Sequence, residues 1–117
     1  MARAGPIAAG EALRLTDLIT TTPGGIASRV LAKTAGGNVT VFAFDEGEGL
    51  SEHTAPFDAL VVVLDGRISL TIGGQKVDAA PGTIVRMPAN IPHAVDASAP
   101  SRMLLIMLRE PAATPQP

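Results

Sequence analysis

The sequence contains no cysteine, no tryptophan and no tyrosine, and its only aromatic residues are three phenylalanines. Without cysteine the chain can form neither disulfides nor thiolate metal sites, and it has no thiol nucleophile. With so few aromatic rings it lacks stacking platforms for nucleic-acid bases. The nine Lys and Arg residues are scattered singly and the net charge is −2, so we expect no nucleic-acid partner.

Long apolar runs are also absent. The two longest, Ala59–Leu64 and Met103–Leu108, are far shorter than the roughly 20 residues that a membrane-spanning helix requires. The first residues do not resemble a signal peptide, because Pro6 and Glu11 interrupt any apolar stretch. We therefore expect a cytoplasmic protein with no membrane partner.

Glycine and proline, by contrast, are frequent, with 12 and 10 copies placed between short apolar runs. This pattern is typical of many short strands joined by turns. A length of 117 residues fits one domain, and 46% apolar residues suffice for a core. We predict an N-terminal arm over residues 1–25 with one helical turn, an all-β sandwich or barrel over residues 26–109, and a disordered tail over residues 110–117.

Eight or nine strands are predicted within the barrel. The segment Asp58–Asp65 is nearly all apolar, which indicates a strand buried on both faces. The segment Arg67–Ile72 alternates polar and apolar residues, and the Gly73-Gly74 pair after it permits a tight hairpin. The other predicted strands are Ile26–Lys33, Asn38–Asp45, Leu50–Thr54, Lys76–Ala79, Thr83–Met87, His93–Ala97 and Ser101–Arg109.

The two histidines of the chain, His53 and His93, lie in two segments that resemble the motifs of the cupin superfamily. The segment GLSEHTAPFDALVVVLDG, residues 49–66, resembles the first motif: glycine, a spacer, His-x-His, three residues, Glu, six residues and glycine. The segment GTIVRMPANIPHAV, residues 82–95, resembles the second: glycine, five residues, Pro-x-Gly, two residues and His. The resemblance implies a double-stranded β-helix, the RmlC-like jelly-roll barrel, and a homodimer.

The resemblance to the cupin metal site is incomplete. His53 and His93 match the first and the last of four ligand positions, whereas Ala55 stands at the second histidine position and Ala59 at the glutamate position. Imidazole binds divalent transition metals such as Zn, Fe, Mn or Ni, but catalytic sites usually supply three protein ligands. The sequence therefore predicts a degenerate motif with, at most, a loosely held metal on His53 and His93.

Two carboxylates near the first motif are candidate replacement ligands. On an extended strand the side chain of Glu52 points away from the face of His53. Asp58 follows Pro56-Phe57, and only a bulge at that point would turn its side chain inward. We expect neither to join the histidines. Asn90 replaces the glycine of the second motif and can adopt the same left-handed conformation.

A ligand pocket inside the barrel is the predicted site, lined by His53, Ala55, Ala59, Met87 and His93. Its function remains open among three alternatives: a module that binds a small-molecule ligand, a metal-dependent cupin enzyme of the dioxygenase, decarboxylase or isomerase type, and a structural or partner-binding barrel with a vestigial pocket. The sequence assigns no catalytic residue.

Overall fold

The computed structural model describes residues 5–110, so the predicted disorder of the tail from residue 111 onward lies outside the described residues. Within this range the chain forms nine strands, which confirms the prediction of eight or nine. A 3-10 turn at Leu15–Asp17 lies in the N-terminal arm, where one helical turn was predicted. The strands are β1 (Ile26–Thr34), β2 (Gly37–Phe44), β3 (Gly49–His53), β4 (Asp58–Asp65), β5 (Ile68–Ile72), β6 (Gln75–Ala79), β7 (Ile84–Met87), β8 (His93–Ala97) and β9 (Ser101–Leu108).

The strands pair into two antiparallel sheets, one of order β1-β2-β9-β4-β7 and one of order β3-β8-β5-β6. Connections of two to four residues pass between the sheets from β2 to β3, β4 to β5, β6 to β7 and β8 to β9. Because such short connections join strands that lie near each other, β2 faces β3, β9 faces β8, β4 faces β5 and β7 faces β6. Strand β1 has no counterpart and extends beyond the four-stranded sheet.

The main core fills the space between the two sheets, where Phe44, Leu70 and Met103 are completely buried. A second apolar cluster lies on the outer face of the five-stranded sheet, built on Leu18, Leu31 and Val41. Strand β2 is therefore buried on both faces, with alternate residues in the two clusters. The described residues contain no helix that could span a membrane.

Strand β4 is less covered than predicted. Its inward residues Ala59, Val61 and Val63 are buried, but its outward residues are only half-buried. The second cluster includes Leu64, at one end of the strand. The prediction of full burial was wrong because an apolar sequence does not show how far the N-terminal segment reaches across the sheet.

Two arginines fasten the N-terminal segment to the outer face of the five-stranded sheet. Nη1 of Arg29 donates to the carbonyl oxygen of Leu18 at 3.0 Å. Nη1 of Arg102 donates to the carbonyl oxygen of Ile19 at 3.2 Å, while its Nε donates to Oδ2 of Asp65 at 3.0 Å. Each guanidinium thus satisfies backbone carbonyls that the short 3-10 turn leaves unpaired.

Candidate functional site

One end of the barrel, which we call the mouth, is formed by the segments 54–57 and 88–92 and by the hairpin turn at 73–74. His53 is the last residue of β3 and His93 the first of β8, so both lie at the mouth. Ala59, at the start of β4, and Met87, at the end of β7, lie at this end for the same reason. The chain thus brings both predicted motifs to the mouth.

The two imidazole rings are in direct contact. The Nε2 atoms of His53 and His93 lie 3.1 Å apart, the ring centroids are 4.4 Å apart, and the ring planes meet at 72°. The two residues are paired across β3 and β8. His93 is buried, with 4% of its surface exposed, whereas His53 is exposed. Solvent and small molecules therefore have access to the pair from the side of His53.

A bulge in β3 places His53 opposite His93. Leu50 pairs with Val95 and His53 pairs with His93. His53 lies three residues after Leu50, whereas Val95 and His93 are two residues apart, so β3 contains one extra residue. Leu50 packs against the core, and strict alternation would turn Glu52 to that same inner face. The extra residue brings His53 inward instead and leaves Glu52 exposed. The sequence had suggested a bulge only later in the chain, after Pro56.

Backbone carbonyls fix the proton position on both rings. Nδ1 of His53 lies 2.8 Å from the carbonyl oxygen of Ser51, and Nδ1 of His93 lies 3.1 Å from that of Ile91. A carbonyl oxygen only accepts, so each Nδ1 carries the hydrogen and each Nε2 presents a lone pair. Two lone pairs then lie close together, which is repulsive unless a shared proton or a metal ion lies between them.

The turn that leads into His93 is fastened from both sides. The backbone N–H of Asn90 donates to the carbonyl oxygen of Ala55 at 2.7 Å, and that of Gly73 donates to the carbonyl oxygen of Pro92 at 2.8 Å. Asn90 has a φ of 65°, the left-handed conformation that we predicted for it. These bonds tie the segments of the mouth together and hold the backbone before His93.

Asp58 does not join the histidines, because its carboxylate is committed elsewhere. Oδ1 accepts the backbone N–H of Ala89 at 2.9 Å, and Oδ2 accepts Nη1 of Arg86 at 2.9 Å. The bond from Ala89, followed by that from Arg86, lowers the pKa of Asp58 from its ordinary value. Asp58 is thus a positioning residue for the turn before His93.

Replacing Asp58 by asparagine removes a charged acceptor from the turn before His93, so added Zn²⁺, for which a site at the histidines is proposed below, is expected to bind several-fold less tightly at pH 7. A lowered pKa means that the ionised carboxylate adds stability above its ordinary pKa of 3.8, and that this is lost as pH falls through the lowered value. Thermal unfolding below pH 4 should therefore show a smaller difference between wild type and Asp58→Asn than at pH 7.

Asp45→Asn is the matched control for this measurement. Asp45 lies at the other end of the barrel, and its pKa is also lowered, first by the backbone N–H of Gly24 and then by that of Glu46. This variant should show the same pH trend in stability with unchanged metal affinity. Equal metal affinities for Asp58→Asn and wild type would contradict the positioning role.

The remaining predicted pocket residues occupy different places. Ala59 and Met87 are direct partners in the β4–β7 ladder and are buried, at 4% and 2% exposure. Both share the inner face of the barrel. Ala55 lies in the connection between β3 and β4, half-buried, and its described contact is the carbonyl oxygen that binds Asn90.

Two polar residues that the sequence interpretation did not single out lie on the inner wall at the mouth. Asn38 and Thr40 alternate along β2 with Val39, which packs in the outer cluster, and share the inner face with Phe42. Thr40 is 6% exposed, and its hydroxyl donates to Oδ1 of Asn38 at 3.3 Å. Polar residues at inward positions of a strand otherwise lined by phenylalanine were the available signal.

The Nε2 atoms of His53 and His93 are spaced so that they could occupy two coordination positions of one metal ion. Metal–imidazole bonds of about 2.1 Å at ligand angles of roughly 90–110° place neighbouring nitrogens about 3.0–3.4 Å apart. The observed separation of 3.1 Å lies in that range. No group of three or more His, Cys, Asp and Glu side chains within residues 5–110 is arranged to hold a metal. The other positions would fall to water or to a ligand.

A family model described as a cupin domain matches residues 40–108, more than half of the chain. The chain belongs to the cupin family. This cupin is similar to a conserved protein of unknown function from Streptococcus pyogenes, with 32% identity, coverage of 96% of this chain and 98% of the other, and a TM-score of 0.86. The family and the jelly-roll fold predicted from the two motifs are thereby confirmed.

Two further solved structures resemble this cupin. A cupin superfamily protein from Desulfitobacterium hafniense is 29% identical, with 93% of this chain and 100% of the other covered and a TM-score of 0.84. A cupin 2 conserved barrel domain protein from Leptotrichia buccalis is 36% identical, with 83% and 47% covered and a TM-score of 0.79. No curated protein matches the sequence.

Proposed function

We propose that this cupin binds a small ligand at the mouth of the barrel through a divalent transition metal held loosely by His53 and His93. The observation that carries the proposal is the pair of Nε2 atoms, 3.1 Å apart, on two rings whose Nδ1 atoms are bound to backbone carbonyls. Two lone pairs at this distance repel each other unless a shared proton lies between them, and a metal ion that accepts both lone pairs removes the repulsion. The close contact between the two Nε2 atoms is therefore explained as a chelate for a metal ion.

Loose binding follows from the number of donors. Structural zinc sites use four protein ligands and catalytic sites three, whereas the mouth offers two imidazole nitrogens. The hydrogen bonds from their Nδ1 atoms to backbone carbonyls orient the rings in advance, which favours binding. The open coordination positions would accept an oxygen atom of a small organic ligand, and the exposed side of His53 gives such a ligand a route of entry.

A test follows from the fact that the chain has only two histidines. Long-range ¹H–¹⁵N NMR spectra should show two imidazoles with the hydrogen on Nδ1, and adding Zn²⁺ should shift both Nε2 resonances together. Elemental analysis of protein purified without an affinity tag should find less than one metal ion per chain, and a chelator should remove it.

Three outcomes would contradict the proposal. Nε2 resonances that do not respond to Zn²⁺, Co²⁺ or Ni²⁺ would exclude a metal site at the pair. A response of one ring alone would exclude the chelate. A full, chelator-resistant ion in every chain would show that further ligands exist, and would favour the alternative of a metal-dependent enzyme.

A further inference from the structure

A second bulge, in β1, brings a lysine to the inner face of the barrel. Val30 pairs with Thr40, but Ala32 pairs with Val39, so β1 contains one residue more than β2 at this point. Without the bulge, Ala32 rather than Lys33 would follow Val30 on the inner face. With it, Lys33 lies directly opposite Asn38. The bulge thus changes the inward residue from an alanine to a cation.

Lys33 begins a row of side chains that crosses the whole five-stranded sheet. The successive ladder partners, one from each strand, are Lys33, Asn38, Met107, Ala59 and Met87. Directly paired residues share a face, and this face is the inner one because Ala59 and Met87 belong to the main core. The row therefore lines the mouth opposite the histidines.

The polar end of this row faces the histidine pair. Asn38 lies at the mouth end of β2, and His53 lies at the mouth end of β3, the strand that β2 faces. Packed sheets are about 10 Å apart, so Asn38 and the histidine pair lie on opposite walls of the mouth. Lys33 is exposed and lies opposite Asn38 on β1, the edge strand next to β2.

The polar groups of this wall are available to a ligand. Among the described residues, Lys33 has no ion pair and the side-chain nitrogen of Asn38 has no hydrogen-bond partner. Among the other charged groups around the mouth, Asp58 pairs with Arg86, and Arg109 lies over the ring of Phe57, 5.1 Å from its centroid. Glu52, next to His53, is exposed to solvent. An ammonium beside an amide N–H group is suited to a carboxylate.

We propose that the ligand of this site is a small carboxylate, bound at its carboxylate end by the Lys33 ammonium and the Asn38 side-chain amide and at its other end at the His53–His93 pair. The proposal rests on the proposed function, because the second contact is made at the metal or, in its absence, at the imidazoles. An uncharged ligand of the same shape would leave Lys33 without its partner, so the site favours the anion.

The test compares straight-chain 2-hydroxycarboxylates, beginning with lactate, with their uncharged amides, beginning with lactamide. Binding of each compound to the Zn²⁺-loaded full-length protein is measured by chemical-shift titration. Lactate should bind more tightly than lactamide, and Lys33→Met should weaken the binding of lactate about three- to tenfold, with little change for lactamide. The effect of Lys33 should shrink as ionic strength rises.

Lys76→Met is the matched control, because Lys76 is the other lysine of the chain and pairs with Thr71 on the outward face of β6. It should leave the preference for lactate over lactamide unchanged. The affinity for Zn²⁺ should be the same in every variant as in the wild type. Asn38→Leu should weaken lactate binding as Lys33→Met does. An equal preference in Lys33→Met and Lys76→Met, or no binding of any carboxylate, would overturn this inference. Failure of the protein to bind Zn²⁺ would instead overturn the proposed function.

Discussion

Replacement of His93 by alanine is expected to lower the affinity for Zn²⁺ by about 100-fold or more while the barrel remains folded. The variant has a single imidazole at the mouth, so the two-nitrogen chelate is lost and one exposed ring must hold the ion alone. Replacement of His53 should have a similar effect on metal binding, since the two Nε2 atoms act together at 3.1 Å. Calorimetric titration gives the affinities, and thermal unfolding reports the fold.

The matched control is Glu52→Gln, which removes a carboxylate next to His53 in sequence but exposed to solvent. Its affinity for Zn²⁺ should equal that of the wild type. Because His93 is buried, His93→Gln serves as a second variant that leaves a smaller cavity. If either His93 variant retains wild-type affinity, the ion binds elsewhere. If both unfold while His53→Ala retains full affinity, the pair is structural.

Replacement of Arg102 by methionine is expected to destabilise the domain by about 2–3 kcal/mol. The guanidinium, 24% exposed, binds the carboxylate of Asp65 and two carbonyls of the N-terminal segment. Its loss leaves Asp65 partly buried without a cation, and Oδ1 of Asp65 already has no hydrogen-bond partner among residues 5–110. Urea unfolding should show a lower midpoint, and limited proteolysis should cut first before residue 25.

Arg86→Met provides the comparison for Arg102. Arg86 also pairs with an aspartate, but its side chain is 61% exposed. Exposed ion pairs add little to stability, so this variant should unfold close to the wild type. Restoring stability by the double change Arg102→Met and Asp65→Leu would support the unpaired carboxylate as the cause. A stability loss in Arg86→Met as large as in Arg102→Met would contradict this account.

The barrel and the histidine pair were predictable because their evidence is local in the sequence. Alternation along strands such as Arg67–Ile72, and turns such as Gly73-Gly74, define the elements without knowledge of their partners. His53 and His93 stand in two segments that resemble the cupin motifs, and that resemblance implied that they share one site. The left-handed conformation of Asn90 followed from its residue type in a turn after Pro88.

The rest of the site depends on pairing between distant strands. A strand of period two shows which residues share a face only while its register is regular, and both β1 and β3 contain a bulge. The inward position of Lys33 was therefore not visible in the sequence. The role of Asp58 depends on an N–H group of Ala89, 31 residues away, which no local pattern reveals.

The three-residue spacing between Leu50 and His53 has a consequence for insertions and deletions. A chain shortened by one residue between them would form a regular strand and keep the same two imidazoles together. A slip of the present chain into a regular register would instead bring Glu52 opposite His93, replacing a nitrogen donor with an oxygen donor. The register between β3 and β8 thus decides whether a nitrogen or an oxygen donor lies opposite His93, without any substitution in the sequence.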